Sequence, residues 1–593
     1  MSKLKILIIG GASLDTLEGA DDLVPGGAGM YTAMSAYRSG ADVTLYAPRP
    51  VPMPDELLAV NNSLTWLGPA IAQADLAHFE IRYDDGRADY VVSRFGTEDS
   101  LSTDELPDDL SAFDYIHIIP LGDIRHQLKI LRACRERGAR NISAGSALDL
   151  INAHPAEAKE VLQETDTLFM NEDEAVRLFG SMPSVHSRAD QLIFVTQGRH
   201  GATAVQGQTA TPLASVAAAM IDPTGAGDTF CGATMVGIAA GLHPVMAARR
   251  AMPLAAQMTE EIGPAALLRP EAAPDAVADN RVVVNDAQVQ RVADLIRTLT
   301  DVTPYPFTGP DLPEAGHPAA LDYFFAATLQ QFGFWTHADG RYERPLIATI
   351  DGEERKGAFY FFRAYRRWLD SDPEKLSPTA QAQLTKAELL TVLRDDDGDN
   401  PMPSIDLHLS LAQAYGRDML ALGDTPQTFL QRANSSANPM SAMLAELDHV
   451  GGYKEDPLRK KAALLAIILR QRPEAFLADR EDDAPPIIDY HVMRSCLRIG
   501  LLDVADKALA QKLEQRKLLS EAEEWAVRSA AFTAVEQLVR LSGKSMGAVD
   551  WFLFQARQRC PEMSEPDCGS CAVDPVCAHR KGLFQPVRRS SFY

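Results

Sequence analysis

The stretch Ile221–Gly232, IDPTGAGDTFCG, decides the fold of the first half of this 593-residue chain. It follows a short apolar run, VAAAMI, and opens a helical pattern, TFCGATMVGIAAG. Gly225, Ala226 and Gly227 carry little or no side chain, so backbone N–H groups at a helix start can approach an anion closely. Asp228 then stands at the mouth of that anion site. A carboxylate there is electrostatically costly unless it takes a proton from an attacking hydroxyl. The alternative is an aspartate that caps an ordinary helix.

Outward from this turn, short apolar runs alternate with helical patterns: KILIIGG, AGMYTAMSAYRSG, VTLYAP, FDYIHIIPLG, HQLKILRACRERG, TLFMNEDEA and LIFVTQG. Such alternation predicts βαβ units, with a largely parallel sheet covered by helices on both faces. Ligands of such sheets gather at the carboxyl ends of the strands.

The same residues resemble the PfkB/ribokinase family of sugar and nucleoside kinases, whose signature is D-T-x-G-A-G-D. Asp222-Pro223-Thr224-Gly225-Ala226-Gly227-Asp228 has those elements in slightly shifted order. Gly10-Gly11-Ala12-Ser13-Leu14-Asp15 is similar to the family's early turn, whose aspartate holds substrate hydroxyls. Gly26-Gly27-Ala28-Gly29 is similar to the di-glycine that closes around the sugar. Asn171-Glu172-Asp173-Glu174 resembles the N-x-x-E that organises Mg²⁺ and its waters, and Thr196-Gln197-Gly198-Arg199-His200-Gly201 resembles the nucleotide-side turn T-x-G-x-x-G. The family's di-glycine motif commonly ends in asparagine, where this chain has Tyr31; the ring is expected either to lie against a base or to be core. The resemblance implies phosphoryl transfer from ATP·Mg²⁺ to a primary hydroxyl. Asp228 would be the base, the Gly225–Gly227 amides the anion hole, and Asp15 the group that orients the acceptor.

The chain is too long for one core. The kinase-like domain is expected over residues 1–275, a Pro/Ala-rich linker with one helix over 276–320, and a second domain over 321–593. That second domain reads as nearly all α: LDYFFAATLQQFGFW, GAFYFFRAYRRWL, LRKKAALLAIILRQ and EAEEWAVRSAAFTAVEQLVRL repeat apolar residues at helical spacing. The acidic run Asp395–Asn400 fits no EF-hand spacing and reads as a solvated loop. No run of about 18 apolar residues suggests a membrane span, and MSKLKILIIGGAS reads as a first strand rather than a signal peptide. A cytoplasmic location is expected. The net charge of −24 argues against nucleic acid as a partner, since phosphate binding needs a basic footprint. Arg557, Arg559, Arg580, Lys581, Arg588 and Arg589 still crowd the last stretch.

Of seven cysteines, Cys134, Cys231 and Cys496 are scattered and read as small buried hydrophobes. The others, Cys560, Cys568, Cys571 and Cys577, are spaced C-x7-C-x2-C-x5-C and suggest a metal site. A zinc ribbon generally uses two short pairs, whereas one short pair with longer flanks suits a [4Fe–4S] cluster; Zn²⁺ stays the minority alternative. Asp489, at the start of a helix, and Lys460, at the start of another, read on spacing alone as a cap and a solvated lysine. Phe334 and Trp335, within FGFW, read either as core or as a base-stacking pair.

The second half, however, resembles helix-hairpin-helix DNA glycosylases. IIDYHVMR is similar to the segment that presents their essential aspartate, matched by Asp489, and DPLRKK places Lys460 where a related group carries a lysine. The order of the longer segments is similar to the queuosine-5′-phosphate N-glycosylase (queuosine salvage) family, and the cysteine spacing resembles the iron–sulfur loop of such glycosylases with one extra residue. The resemblance implies that a kinase supplies a 5′-phosphate handle to a domain that removes a modified base. The acceptor would be a sugar or nucleoside, and such kinases are often homodimers. Two competing readings are a sugar kinase with a non-catalytic second domain, and a nucleic-acid repair glycosylase with a vestigial kinase domain.

Overall fold

The computed structural model describes residues 3–18, 20, 23–84, 87–94, 96–216, 218–269, 279–480 and 483–593. The chain forms two compact units, Met1–Val277 and Ala278–Tyr593. Among the described residues, no helix is long and apolar enough to cross a membrane.

The first unit is built on a nine-stranded sheet. Its order runs Thr209–Leu213, Ala202–Gln206, Leu192–Thr196, Thr167–Asn171, Ile142–Gly145, Tyr115–Ile118, Lys5–Ile9, Asp42–Tyr46, Thr65–Leu67. All pairs are parallel except the two at the Thr209 edge. Period-two alternation explains the double covering. Ile6 and Ile8 join a core with the helices Ala28–Arg38 and Ala226–Ala239, while Leu7 and Ile9 point into a second core with Ile130 and Leu131. Lys5–Ile9 has Asp42–Tyr46 on one side and Tyr115–Ile118 on the other. The chain order therefore reverses at this strand, which makes its carboxyl end the crevice where ligands of such sheets bind. A four-stranded sheet, Val24–Gly26, Ser13–Leu17, His78–Asp84 and Arg87–Arg94, carries Asp15.

The second unit is mostly helical around a single core, and it also holds two hairpins, Trp335–Ala338 with Arg341–Pro345 and Ile347–Ile350 with Glu353–Lys356. The expected linker is not a free connector. Val282–Val284 pairs antiparallel with Leu502–Val504, and Asn285 Nδ2 donates to Asp503 Oδ2 at 2.9 Å. Helix Asp286–Thr298 buries Val289, Val292, Ala293 and Ile296 in the core of the second unit. A three-residue strand has too few positions to show a period, and its partner lies more than two hundred residues on, so proline content dominated the reading.

Candidate functional sites

In the first unit, Asp222 organises the glycine turn: its Oδ1 accepts from Thr224 N at 2.8 Å and its Oδ2 from Gly263 N at 2.7 Å. Gly225 has φ of 75° and precedes helix Ala226–Ala239. A Cβ on Gly225 would lie 2.4 Å from the ring of Tyr31. Tyr31 is accordingly 2% exposed and packs on the anion-site backbone, so its ring is not turned outward to receive a base. Asp228, in the first helical turn, is pushed up to about 7, first by burial and then by the charge of Glu174. A carboxyl group titrating near neutrality is suited to taking a proton.

Glu174 reaches that neighbourhood through a capping box. Asn171 Oδ1 accepts from Glu174 N at 2.9 Å, while Glu174 Oε2 accepts from Asn171 N at 2.9 Å and from Ser146 Oγ at 2.7 Å. Burial raises the Glu174 carboxyl too. Asn171 and Thr196 are register partners at the carboxyl ends of adjacent parallel strands, and Thr196 Oγ1 lies 3.9 Å from a Cβ built on Gly227. The turn Gly198–His200 closes with Gln197 N donating to Gly201 O at 2.8 Å. Asp15 is pushed up to about 6 by burial, although it accepts from Ser13 Oγ (2.9 Å) and Phe79 N (3.0 Å). Its Oδ2 would lie 1.9 Å from a Cβ on Gly26, which is why a glycine stands there. Gly27 leads directly into the helix that carries Tyr31, whose N–H donates to Gly27 O at 3.1 Å. All the kinase-type residues read from the sequence thus fall at one end of the sheet or on the sheet beside it.

In the second unit, a cavity open to solvent collects Lys460, Asp489 and Asp550. Each comes from a different helix: Lys460 opens Lys460–Gln471, Asp489 caps Tyr490–Ile499, and Asp550 lies in the second turn of Met546–Arg559. Two positive helix ends, those at Lys460 and Asp489, line the cavity, an environment that favours an anion. Asp489 Oδ1 caps its helix by accepting from Val492 N at 2.8 Å. Lys460 is buried, its Nζ donating to Gln331 O at 2.9 Å and its N–H to Asp456 Oδ2 at 2.8 Å. Burial lowers the Lys460 ammonium, and Asp489, Asp456 and Asp550 oppose that shift. Asp550 is pushed up to about 7 by burial and then by the charge of Asp489, with Lys460 and Arg557 pulling the other way.

One wall is aromatic. Tyr305 and Trp551 stack at 4.2 Å, Trp551 and Phe554 at 5.2 Å, and the Arg557 guanidinium sits 3.6 Å from the Phe554 ring centre. Arg557 also donates to His491 Nε2 at 3.0 Å. Phe334 lines the cavity, but Trp335 does not: it is 2% exposed, stacked on Tyr342 and covered by Arg589 at 4.3 Å. Sequence reasoning missed Asp550, Lys356, Arg557 and the 305–312 segment as cavity residues. Most of the remaining basic cluster is paired within the unit: Arg580 with Asp503, Arg588 with Glu521, Lys581 with Glu565, and Arg559 with Asp567.

The cysteine loop follows helix Met546–Arg559, which lines this cavity. Cys571 and Cys577 both feel Cys560 and Cys568 electrostatically, so the four thiols share one neighbourhood. Arg498 donates to Cys560 Sγ (3.3 Å) and to Pro561 O (2.8 Å), and His579 N donates to Cys577 Sγ (3.3 Å). Among the described residues, the metal-competent trio within 4.8 Å is Cys568, Asp574 and His579, rather than three of the four cysteines. Glu562, two residues past Cys560, accepts from Lys356 Nζ at 2.5 Å and lies 3.4 Å from His491 Nδ1, which joins the loop to the cavity wall.

Comparison with known proteins divides the chain in the same way. Residues 89–271 match the model for the pfkB family carbohydrate kinases, and residues 312–466 match that for the queuosine salvage protein. The chain joins a PfkB-type region to a queuosine salvage region. A cytidine kinase from Thermococcus kodakarensis is 27% identical over 254 residues, which is 40% of this chain and 90% of that protein. Among solved structures, adenosine kinase from Sinorhizobium meliloti is 18% identical over 46% of this chain and 97% of its own, with a TM-score of 0.39. A nucleoside kinase from Methanocaldococcus jannaschii is 20% identical over 44% and 94%, with a TM-score of 0.36. The PfkB-type region makes the first unit a carbohydrate or nucleoside kinase domain.

Proposed function

We propose that the first unit phosphorylates the primary hydroxyl of a nucleoside and that the second unit hydrolyses the resulting nucleotide to free base and sugar phosphate. The observation that carries this reading is the pairing, in one chain, of a half-buried Asp228 at an anion-binding turn with a cavity that combines carboxylates, cations and an aromatic wall. In the first unit, Asp228 takes the proton of the acceptor hydroxyl as that oxygen attacks the γ-phosphorus of ATP. The Gly225–Gly227 amides receive the transferring phosphoryl group, Asp15 orients the acceptor, and the Thr196–Gly201 turn serves the nucleotide side. Mg²⁺ fits beside Asn171 and Glu174, because a cation relieves the repulsion between the buried Glu174 and Asp228, and when bound it neutralises phosphate charge.

In the second unit, Asp489 faces the sugar carbon, where a carboxylate stabilises oxocarbenium character or activates water. Lys356, Arg557 and Lys460 suit the 5′-phosphate, and the Tyr305–Trp551–Phe554 wall suits a flat base. The match to the queuosine salvage protein favours a modified, deazaguanine-type base. The loop fits a [4Fe–4S] cluster better than zinc. Tetrahedral zinc thiolates stand only about 3.8 Å apart, whereas no three of these thiols lie within 4.8 Å of one another. The cluster when bound would fasten the loop, through Cys560, Cys568, Cys571 and Cys577, with Arg498 and His579 N–H donating to its sulfurs.

The test is incubation of anaerobically purified protein with ATP, Mg²⁺ and a panel of ordinary and 7-deazaguanine nucleosides, read by mass spectrometry. Free base should appear only with ATP. Asp489→Asn should stall at the 5′-phosphate and Asp228→Asn at the nucleoside. Phosphorylated product that accumulates unchanged in every Asp228-intact sample would leave a kinase with a non-catalytic second unit.

A further inference from the structure

Resting on the base-release reading, we infer that Asp550 is a catalytic residue of the second unit, the acid that protonates the departing base, while Asp489 serves the sugar and the attacking water. Three observations place the two carboxyl groups in different roles. Both line the same cavity, yet Asp489 is tied down by the Val492 amide at the start of its helix. Asp550 instead lines the cavity beside the helix neighbours Trp551 and Phe554, whose rings form the aromatic wall with Tyr305. Its burial and the neighbouring Asp489 charge favour the protonated form up to about pH 7. A carboxyl group that its surroundings keep protonated near neutrality is suited to act as an acid.

The step balances without any further reactant. The bond between the sugar carbon and the base nitrogen breaks, and its electron pair leaves with the base, which gains the Asp550 proton. Water adds its oxygen to the sugar carbon and gives up a proton to Asp489, and exchange with solvent then removes the Asp489 proton and restores that of Asp550.

Other groups facing the cavity do not duplicate the role. Arg557 on the same helix and Lys356 are cations, and Lys460 is a buried ammonium held on Gln331 O. His491 is held neutral far below its ordinary range by burial and by Arg557 and Arg494. Tyr305, Tyr490 and Tyr593 are all raised by burial and stay protonated phenols near neutrality. The acid must be protonated, so base release should decline as pH rises through about 7.

The experiment compares the full-length wild-type protein with Asp550→Asn, Asp550→Glu and Asp489→Asn on two substrates: a nucleoside 5′-phosphate, made in place by the kinase unit, and p-nitrophenyl ribofuranoside 5-phosphate, whose leaving group departs without a proton. Asp550→Asn should lose about 10²–10⁴-fold on the nucleotide, lose the alkaline decline, and stay within about threefold of wild type on the nitrophenyl substrate. Asp550→Glu should restore part of the rate and the pH dependence, and phosphorylation should be unchanged in all variants. Asp489→Asn should fail on both substrates. Equal losses of Asp550→Asn on both substrates, or an unchanged pH profile, overturn the role of Asp550. A wild-type protein that releases nothing from either substrate instead overturns the base-release reading itself.

Discussion

Replacing Asp228 by asparagine should stabilise the ligand-free first unit while abolishing its phosphorylation. Asp228 goes from an ordinary 3.8 to about 7 on folding, because burial and Glu174 disfavour its charge. The sign follows from proton counting. Between those values the folded protein binds a proton that the unfolded chain has released, so stability is present below about 3.8 and is lost as pH rises through about 7. At roughly 1.4 kcal/mol per unit, the penalty above pH 7 is about 4 kcal/mol. Asparagine has nearly the same shape and no charge, so it escapes the penalty. By calorimetry at pH 8.5, the transition of the first unit should rise by on the order of 8 °C, and the gain should shrink by about half at pH 5.5. Phosphorylation measured in parallel should fall by about 10²–10⁴-fold. A gain that does not vary with pH, or a variant less stable than wild type at pH 8.5, would refute the burial argument.

Two further outcomes concern the second unit. Arg528 is fully buried and holds Asp456 at 2.7 and 2.8 Å; Arg528→Met leaves that carboxylate unpaired and should cost about 3–5 kcal/mol in the second-unit transition. Because Asp456 also accepts from Lys460 N, base release should fall with it while phosphorylation holds; a transition lowered by less than about 1 kcal/mol counts against the pair. Cys571→Ser should remove most of the bound metal, with elemental analysis of the anaerobic wild type returning about four irons per chain; about one zinc per chain would sink the cluster reading.

The first unit was the more legible half because its chemistry lies in backbone turns. Gly225, Gly26 and Gly201 are dictated by close approaches that no other residue tolerates, so the turns leave a local imprint. Asp550 left none: a lone acid within a helix reads as an ordinary solvated residue, and only the meeting of three helices around one cavity gives it a role. The prolines of segment 305–312 give it the composition of a linker, yet Tyr305, Phe307 and Leu312 wall the cavity. Tyr31 and Trp335 fell the other way. An aromatic residue at a motif end or in a dense cluster looks the same from sequence whether it faces ligand or Gly225, Tyr342 and Arg589.

The stacked trio of Tyr305, Trp551 and Phe554 also gives the molecule an optical handle. Of five tryptophans in the chain, Trp551 is the one in the cavity wall. A purine-like ring sliding against it would quench its emission, whereas the single tryptophan of the first unit, Trp66, is 8% exposed and packed in that unit's own core. Stopped-flow fluorescence with a Trp551→Phe control would therefore time the arrival of each nucleotide at the second cavity, in the native chain and without a label.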